Sequence, residues 1–276
     1  MASAFSLFIT RLLLSIAHFL GAGLGLFIML CSPKTKQQTL ANIQQSGLLP
    51  SKNAACANFS ELGKTILETP LIWTSSTQQI QQLVSVVHGW ENVKQAQAAG
   101  KGIIFLTPHM GSFEITSRYY ALYAPITVLY RPPKKAWLAP LVNKGRQHCN
   151  VLLAPANMHG VKALMQALKR GETVGILPDQ IPQAGEGEWA DFFGKPAYTM
   201  TLASKLAKKT GAEVIMAFGE RLKNAKGFEI HLQRIDSIDS PALLNKAIER
   251  QIAQNPMQYL WQYNRHKISR KAKPQQ

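Results

Sequence analysis

His109 stands in the run Thr107-Pro108-His109-Met110-Gly111-Ser112-Phe113-Glu114, five residues before a carboxylate. An imidazole is basic enough near neutral pH to take a proton from a hydroxyl. A carboxylate on its other ring nitrogen fixes the tautomer and stabilises the imidazolium. Such a pair would activate an acceptor hydroxyl for direct attack on an acyl donor, with no enzyme nucleophile. Pro108 stops the strand read at Ile103 to Leu106, and Gly111 permits a tight turn. In one unbroken helix the offset would part the two side chains by about 140°, at about 100° per residue. With His109 in the turn, the chain can fold back and bring Glu114 to the ring. Ser112 can cap the helix that follows, and the amides of Gly111 and Ser112 at its start are candidate oxyanion donors. Taken alone, an H-x-x-x-x-E is also what a loop histidine beside an unrelated helix-terminal glutamate looks like.

The elements that must hold this turn are readable from apolar spacing. Residues 33–69 carry Leu40, Ile43, Leu48, Phe59, Leu62 and Ile66 at helical intervals, broken by Pro50. After Pro70 come short apolar runs, read as strands at Leu83 to Val87, Ile103 to Leu106, Ile126 to Leu129, Val151 to Leu153, Val174 to Leu177 and Val214 to Phe218. Amphipathic stretches near 91–99, 112–122, 136–148, 159–169 and 199–209 read as helices between them. The alternation predicts an α/β sheet with helices on its faces, and His109 at the carboxyl end of a strand, where open α/β sheets hold ligands. Gly102, Gly171 and Gly211 each precede a strand and are read as positive-φ helix ends.

Leu12 to Cys31 is about the 20 residues that cross a bilayer core, with His18 its one ionisable residue. Its length and its Met-Leu-Cys end favour an uncleaved anchor over a signal peptide or a packed hairpin element. Arg11 flanks one end and Lys34 and Lys36 the other, so basic residues set the orientation weakly. The chain divides into an anchor over 1–32 and a domain over 33–276. A formal charge of +16 with 46% apolar residues describes a folded, basic protein whose partner is anionic: nucleic acid, anionic lipid or an acidic carrier protein. A basic run of Arg265, Lys267, Arg270, Lys271 and Lys273 adds weight to contact with anionic lipid, although such a run is also an ordinary solvated tail. Cys31, Cys56 and Cys149 lack any C-x-x-C spacing, which argues against a disulfide framework and a thiolate metal site. Nucleotide-loop and H-E-x-x-H motifs are absent, so no cofactor and no metal are expected.

With these residues in view, the sequence resembles the bacterial lipid A biosynthesis acyltransferases. HMGSFE after a Gly-Ile-Ile strand is similar to that family's H-x-x-x-x-D/E signature. Tyr130-Arg131-Pro132-Pro133 with Arg146 resembles its second block, and Leu177-Pro178-Asp179-Gln180 with Phe192-Phe193-Gly194 its third. Asn255-Pro256 through Tyr259-Leu260-Trp261 and Arg265 resembles the closing block, with Met257 where Glu is common and Asn264 where a second Arg is usual. The order matches over nearly the whole chain. The resemblance implies a glycerolipid-acyltransferase-like mixed α/β sheet with helices on both faces plus an N-terminal membrane helix. It further implies a His109 base supported by Glu114, acyl carrier protein as donor, and a lipid A precursor as acceptor at the cytoplasmic face of the inner membrane.

The other polar residues have physical readings of their own. Arg131 follows a strand and its fork suits a phosphate on the acceptor, or an ion pair with Glu114 or Asp179. Arg146 is a substrate contact or a solvated helix face. Asp179 and Gln180 could orient Arg131 or bind a sugar hydroxyl, or simply form a turn. Phe192 and Phe193 could line an acyl channel or pack in the core. His88, His148, His159, His231 and His266 show no acidic partner at useful spacing and read as structural. Another acceptor, such as a phosphatidylinositol mannoside, an ornithine lipid or a lysophospholipid, would use the same site. A nucleic-acid binder or non-enzymatic membrane adaptor is supported by charge alone and would tolerate loss of His109 and Glu114.

Overall fold

In the computed structural model, which describes residues 2–49, 53–133, 135, 137, 139–148 and 150–267, the apolar runs pair into one sheet. Numbered along the chain, its seven strands lie in the order β1 (Val84–His88), β9 (Phe228–Arg234), β8 (Glu213–Arg221), β2 (Ile103–Leu106), β5 (Thr173–Ile176), β3 (Ile126–Tyr130) and β4 (Val151–Pro155). Neighbours run parallel except for the antiparallel pair β8 and β9, so the sheet is mixed. Successive residues of β2 face opposite layers, as the period of two requires. Ile104 and Leu106 join a core with α8 (Met158–Lys169), α9 (Leu202–Thr210) and α10 (Pro241–Gln254). Ile103 and Phe105 join another with α4 (Thr77–Leu83), α5 (Trp90–Ala98) and α6 (Phe113–Tyr120). Helices cover both faces, which is why β2 and β5 are buried throughout.

The six strands read from sequence are all present. Outside those readings lie β9, α4, α10 and the separate antiparallel hairpin of β6 (Gly187–Phe192) and β7 (Lys195–Met200). That hairpin delays α9 to Leu202, three residues beyond the predicted start. Of the three glycines read as helix ends, Gly171 and Gly211 take positive φ, but Gly102 does not; Gly100 takes that role after α5 at φ +66°. Pro70 does not end a helix either, since α3 (Ala54–Thr74) continues through it. Pro50 lies outside the described residues; before it, α2 (Pro33–Ser46) stops at Gly47 in the left-handed region.

The N-terminal helix α1 (Ala2–Cys31) contains one stretch, Leu7–Cys31, long and apolar enough to cross a membrane. One face of it packs along α3. Gly25 lies so close to α3 that a Cβ there would fall 1.8 Å from the Phe59 carbonyl, and one on Gly63 would fall 1.8 Å from the Gly21 carbonyl. Only hydrogen on those positions lets the two backbones meet. The opposite face leaves Phe8, Phe19, Phe27 and Leu30 exposed, an apolar stripe of the kind that marks a membrane contact. Cys31 and Cys56 are free thiols, and Cys149 lies outside the described residues.

Candidate active site

β2 and β5 are hydrogen-bonded parallel neighbours with Leu106 opposite Ile176. Each is followed by one residue, a proline and then a polar residue: Thr107-Pro108-His109 and Leu177-Pro178-Asp179. Equal offsets from one register pair bring those two side chains together at the carboxyl edge of the sheet. His109 Nδ1 lies 2.8 Å from Asp179 Oδ1, and the His109 backbone N–H donates to Asp179 Oδ2 at 2.9 Å. The Gln180 amide meets His109 Nε2 at 3.1 Å. A carboxylate accepts only, so Nδ1 carries the proton and Nε2 presents a lone pair to the Gln180 N–H. Asp179 is 2% exposed. Burial alone would raise its carboxyl, yet the charge and hydrogen bonds of His109 hold it below the usual carboxylate value.

Glu114, the expected partner of the imidazole, is engaged elsewhere. It lies in the first turn of α6, as read, but its carboxylate accepts from Arg146 Nε at 2.9 Å, from Arg146 Nη2, and from Trp73 Nε1 at 3.1 Å. Arg146 ends α7 (Ala139–Arg146), and its guanidinium also faces the Trp73 ring. Arg146 is therefore a partner of Glu114 and not a solvated face. Arg131, exposed after β3, has neither Glu114 nor Asp179 as a described ion-pair partner.

The turn itself is held by residues far along the chain. Leu260 N–H donates to the His109 carbonyl at 3.0 Å, Gly111 N–H donates to the Gln258 carbonyl at 2.9 Å, and Met110 forms a β-bridge with Tyr259. Ser112 N–H donates to the Gly219 carbonyl at 2.8 Å. The amides of Gly111 and Ser112 are thus spent on the fold, which removes them as oxyanion donors. The Ser112 hydroxyl makes no capping bond, contrary to expectation. Gly111 sits at φ +55°, where a Cβ would fall 2.2 Å from the Gly219 carbonyl, so this position needs glycine twice over. The closing block is gripped in turn by Asn58, which donates to the Met257 and Tyr259 carbonyls, and by Asn42, which donates to those of Trp261 and Tyr263.

A cleft of about 680 Å³ opens beside His109. Phe105, Ile126, Val128, Leu129 and Val161 give it an apolar floor, and His109, Glu114, Arg131, Arg146 and Gln180 border it with polar groups. Phe192 and Phe193 are not part of that wall. Phe192 is buried in the core and Phe193 turns the β6–β7 hairpin at φ +48°, so packing accounts for both. Arg265 is likewise no membrane contact: it is buried, donating to the Tyr198 carbonyl and to Thr199 Oγ1. Arg270, Lys271 and Lys273 of the same basic run lie outside the described residues.

The sequence profile of the bacterial lipid A biosynthesis acyltransferases matches residues 2–268. The chain belongs to that family, and it is an acyltransferase. It is 27% identical over 217 residues to the lipid A biosynthesis palmitoleoyltransferase of Escherichia coli K12, covering 76% of this chain and 70% of that protein. Identity to the lauroyltransferase of the same organism is 26% over 218 residues, with the same coverage. A lipid A biosynthesis acyltransferase of Haemophilus influenzae is 28% identical over 185 residues, covering 63% of this chain and 56% of that one.

Elsewhere in the acyltransferase, two histidines do have acidic partners, against expectation. His88 pairs with Glu229 and His231 with Glu220, each at 2.8 Å, and the two rings stack at 4.7 Å. Ligating atoms of His88, Glu229 and His231 fall within 4.8 Å of one another. The rings are only 13° from parallel, so their in-plane lone pairs do not converge on one point as a metal's ligands must. Each imidazole is satisfied by its carboxylate instead.

Proposed function

We propose that the chain moves a fatty acyl group from acyl carrier protein to a hydroxyl, on a 3-hydroxyacyl chain of a lipid A precursor, at the cytoplasmic face of the inner membrane. The reading rests chiefly on one observation: His109 carries its proton toward buried Asp179 and turns its basic Nε2 to a cleft with an apolar floor. Nε2 takes the hydroxyl proton as the acceptor displaces the Gln180 amide, and Asp179 stabilises the imidazolium. The acceptor oxygen attacks the thioester carbonyl, and the carrier's thiol leaves with a proton. The cleft is of ordinary ligand size, roughly 300 to 1,000 Å³, and its floor suits the acyl chain. Gln180 and Arg146 border it and supply donors for the developing oxyanion. Glu114 serves by fixing Arg146 at that border.

Residues 1–32 act as the membrane anchor and 33–276 as the catalytic domain, with the exposed stripe of α1 in lipid. The charge of +16 attracts an acidic carrier and an anionic bilayer, so turnover falls as salt rises. Arg131→Ala is expected to raise KM for a phosphorylated acceptor about 10-fold or more with little change for the carrier, the loss of a charge-assisted bond. An equal KM on a dephosphorylated acceptor would remove the phosphate role.

The reading is tested by acyl transfer from acyl carrier protein to a Kdo-lipid A precursor in detergent micelles. His109→Ala is expected to abolish turnover while the melting temperature is kept. A folded His109→Ala variant with full activity would refute the general base. A wild type silent on this acceptor but active on an ornithine lipid or lysophospholipid would leave the base in place and move the substrate.

A further inference from the structure

Arg221 ends β8 and is 4% exposed, yet it carries a full charge that the chemistry above does not use. Its guanidinium is taken up on every side. Nη1 meets Glu61 Oε2 at 2.6 Å, and Nε meets Glu68 Oε2 at 2.8 Å. Nη2 reaches Glu68, Thr65 Oγ1 at 2.7 Å and the Gly111 carbonyl at 3.2 Å. Glu68 is wholly buried in α3, and its Oε2 also meets His18 Nε2 of α1 at 2.8 Å. A continuous polar chain therefore runs from α1 through α3 and β8 to the peptide two residues beyond His109.

Stability does not require these charges, because well-packed apolar residues in place of a buried ion pair are often as good or better. An apolar cluster could not donate to the Gly111 carbonyl. We propose that His18, Glu68 and Arg221 form a strut that positions the His109 turn for catalysis and makes its geometry follow the seating of α1. The inference rests on His109 being the base. Arg221 touches no substrate and is a positioning residue. A small rotation of the 110–112 segment would swing the imidazole off the acceptor, and a misplacement of about 1 Å costs on the order of 10²-fold in rate.

The test uses the full chain in detergent micelles with the assay above. Arg221→Met alone strands Glu68 and lowers the melting temperature. Adding Glu68→Leu removes the two fully buried charges, leaving the partly exposed Glu61 to its pair with Lys64, and is expected to recover most of that loss, while kcat stays down about 10- to 100-fold and KM for the carrier is unchanged. Arg221→Lys keeps the charge beside Glu68 but lacks the fork that reaches Gly111; it gives the same kcat loss if the double variant does not fold. His18→Leu lowers kcat, and His18→Gln, whose amide still donates to Glu68, restores it. Folded Arg221 variants with wild-type kcat would overturn the strut. So would a kcat deficit that vanishes when the melting temperature recovers. An unaffected His18→Leu would cut α1 out of it. His109→Ala, run alongside, separates the failures: if that variant stays active, the base assignment has failed and the strut falls with it.

Discussion

Asp179→Asn is expected to lower kcat by about 10³- to 10⁴-fold, as loss of the orienting carboxylate does in serine-protease triads, while the fold survives. Asparagine can still accept from the His109 backbone N–H. Its amide group, however, would press N–H against N–H at Nδ1, and relief comes from turning the amide or moving the ring proton to Nε2. Either change spoils the base: the first removes the imidazolium's counter-charge, the second occupies the lone pair that must take the proton. Because His109 holds the Asp179 carboxyl below the usual carboxylate value, Asp179 stays ionised throughout the neutral range and adds no titration of its own to the rate there. Glu114→Gln keeps one acceptor and turns its NH2 toward the other donor, Trp73 or Arg146, but it does not touch the imidazole, so its effect should be smaller. Steady-state kinetics of both variants decide the matter. A Glu114→Gln loss exceeding that of Asp179→Asn would show that Glu114, not Asp179, supports the imidazole during turnover.

Glu68 gives the second large effect, on stability. Burial opposes its ionisation, but Arg221 and His18 more than compensate and bring its carboxyl from 4.5 to about 2. A carboxyl depressed on folding contributes stability that is complete above the unfolded value and lost as pH falls through the folded one. The drop corresponds to roughly 3 kcal/mol, present at neutral pH and fading between about pH 4.5 and 2. Glu68→Gln should cost about 3 to 5 kcal/mol at pH 7, since it leaves the buried Arg221 short of a counter-charge, and should flatten the acid dependence over that window. Denaturation of wild type and variant at pH 7, 4 and 3 measures both. A variant as acid-sensitive as wild type would place the acid-labile charge elsewhere.

The sheet was legible because its strands are continuous apolar runs, and β2 ends where Pro108 says it must. β9 carries the other strand pattern, Phe228, Ile230 and Leu232 alternating with Glu229, His231 and Gln233 so that one side of the strand is buried, and lies outside a reading of continuous runs alone. The hairpin escaped because its turn puts Phe193, a poor residue for positive φ, where glycine or asparagine would have announced it. The candidate site was half legible. His109, Glu114, Arg131, Arg146 and Gln180 all border one cleft, with Asp179 buried behind the imidazole, but which carboxylate faces the imidazole depends on β2 lying beside β5. Strand adjacency between segments 70 residues apart is not written in either segment. The matching Thr-Pro-His and Leu-Pro-Asp offsets were the available signal, and they acquire meaning only once the two strands are known to be neighbours. The spent amides of Gly111 and Ser112 depend on the closing block and on β8 for the same reason: no local pattern links residue 111 to residue 258, or residue 112 to residue 219.

That link also sets when activity can arise during synthesis. The His109 carbonyl waits for the Leu260 amide, and the ribosome adds Leu260 about 150 residues later. At about 5 to 20 residues per second, the delay is roughly 8 to 30 s. By then α1, with its exposed apolar stripe, has long since emerged. A nascent chain therefore presents α1 while its His109 turn is still unbraced, and it gains that brace only once Leu260 has been added.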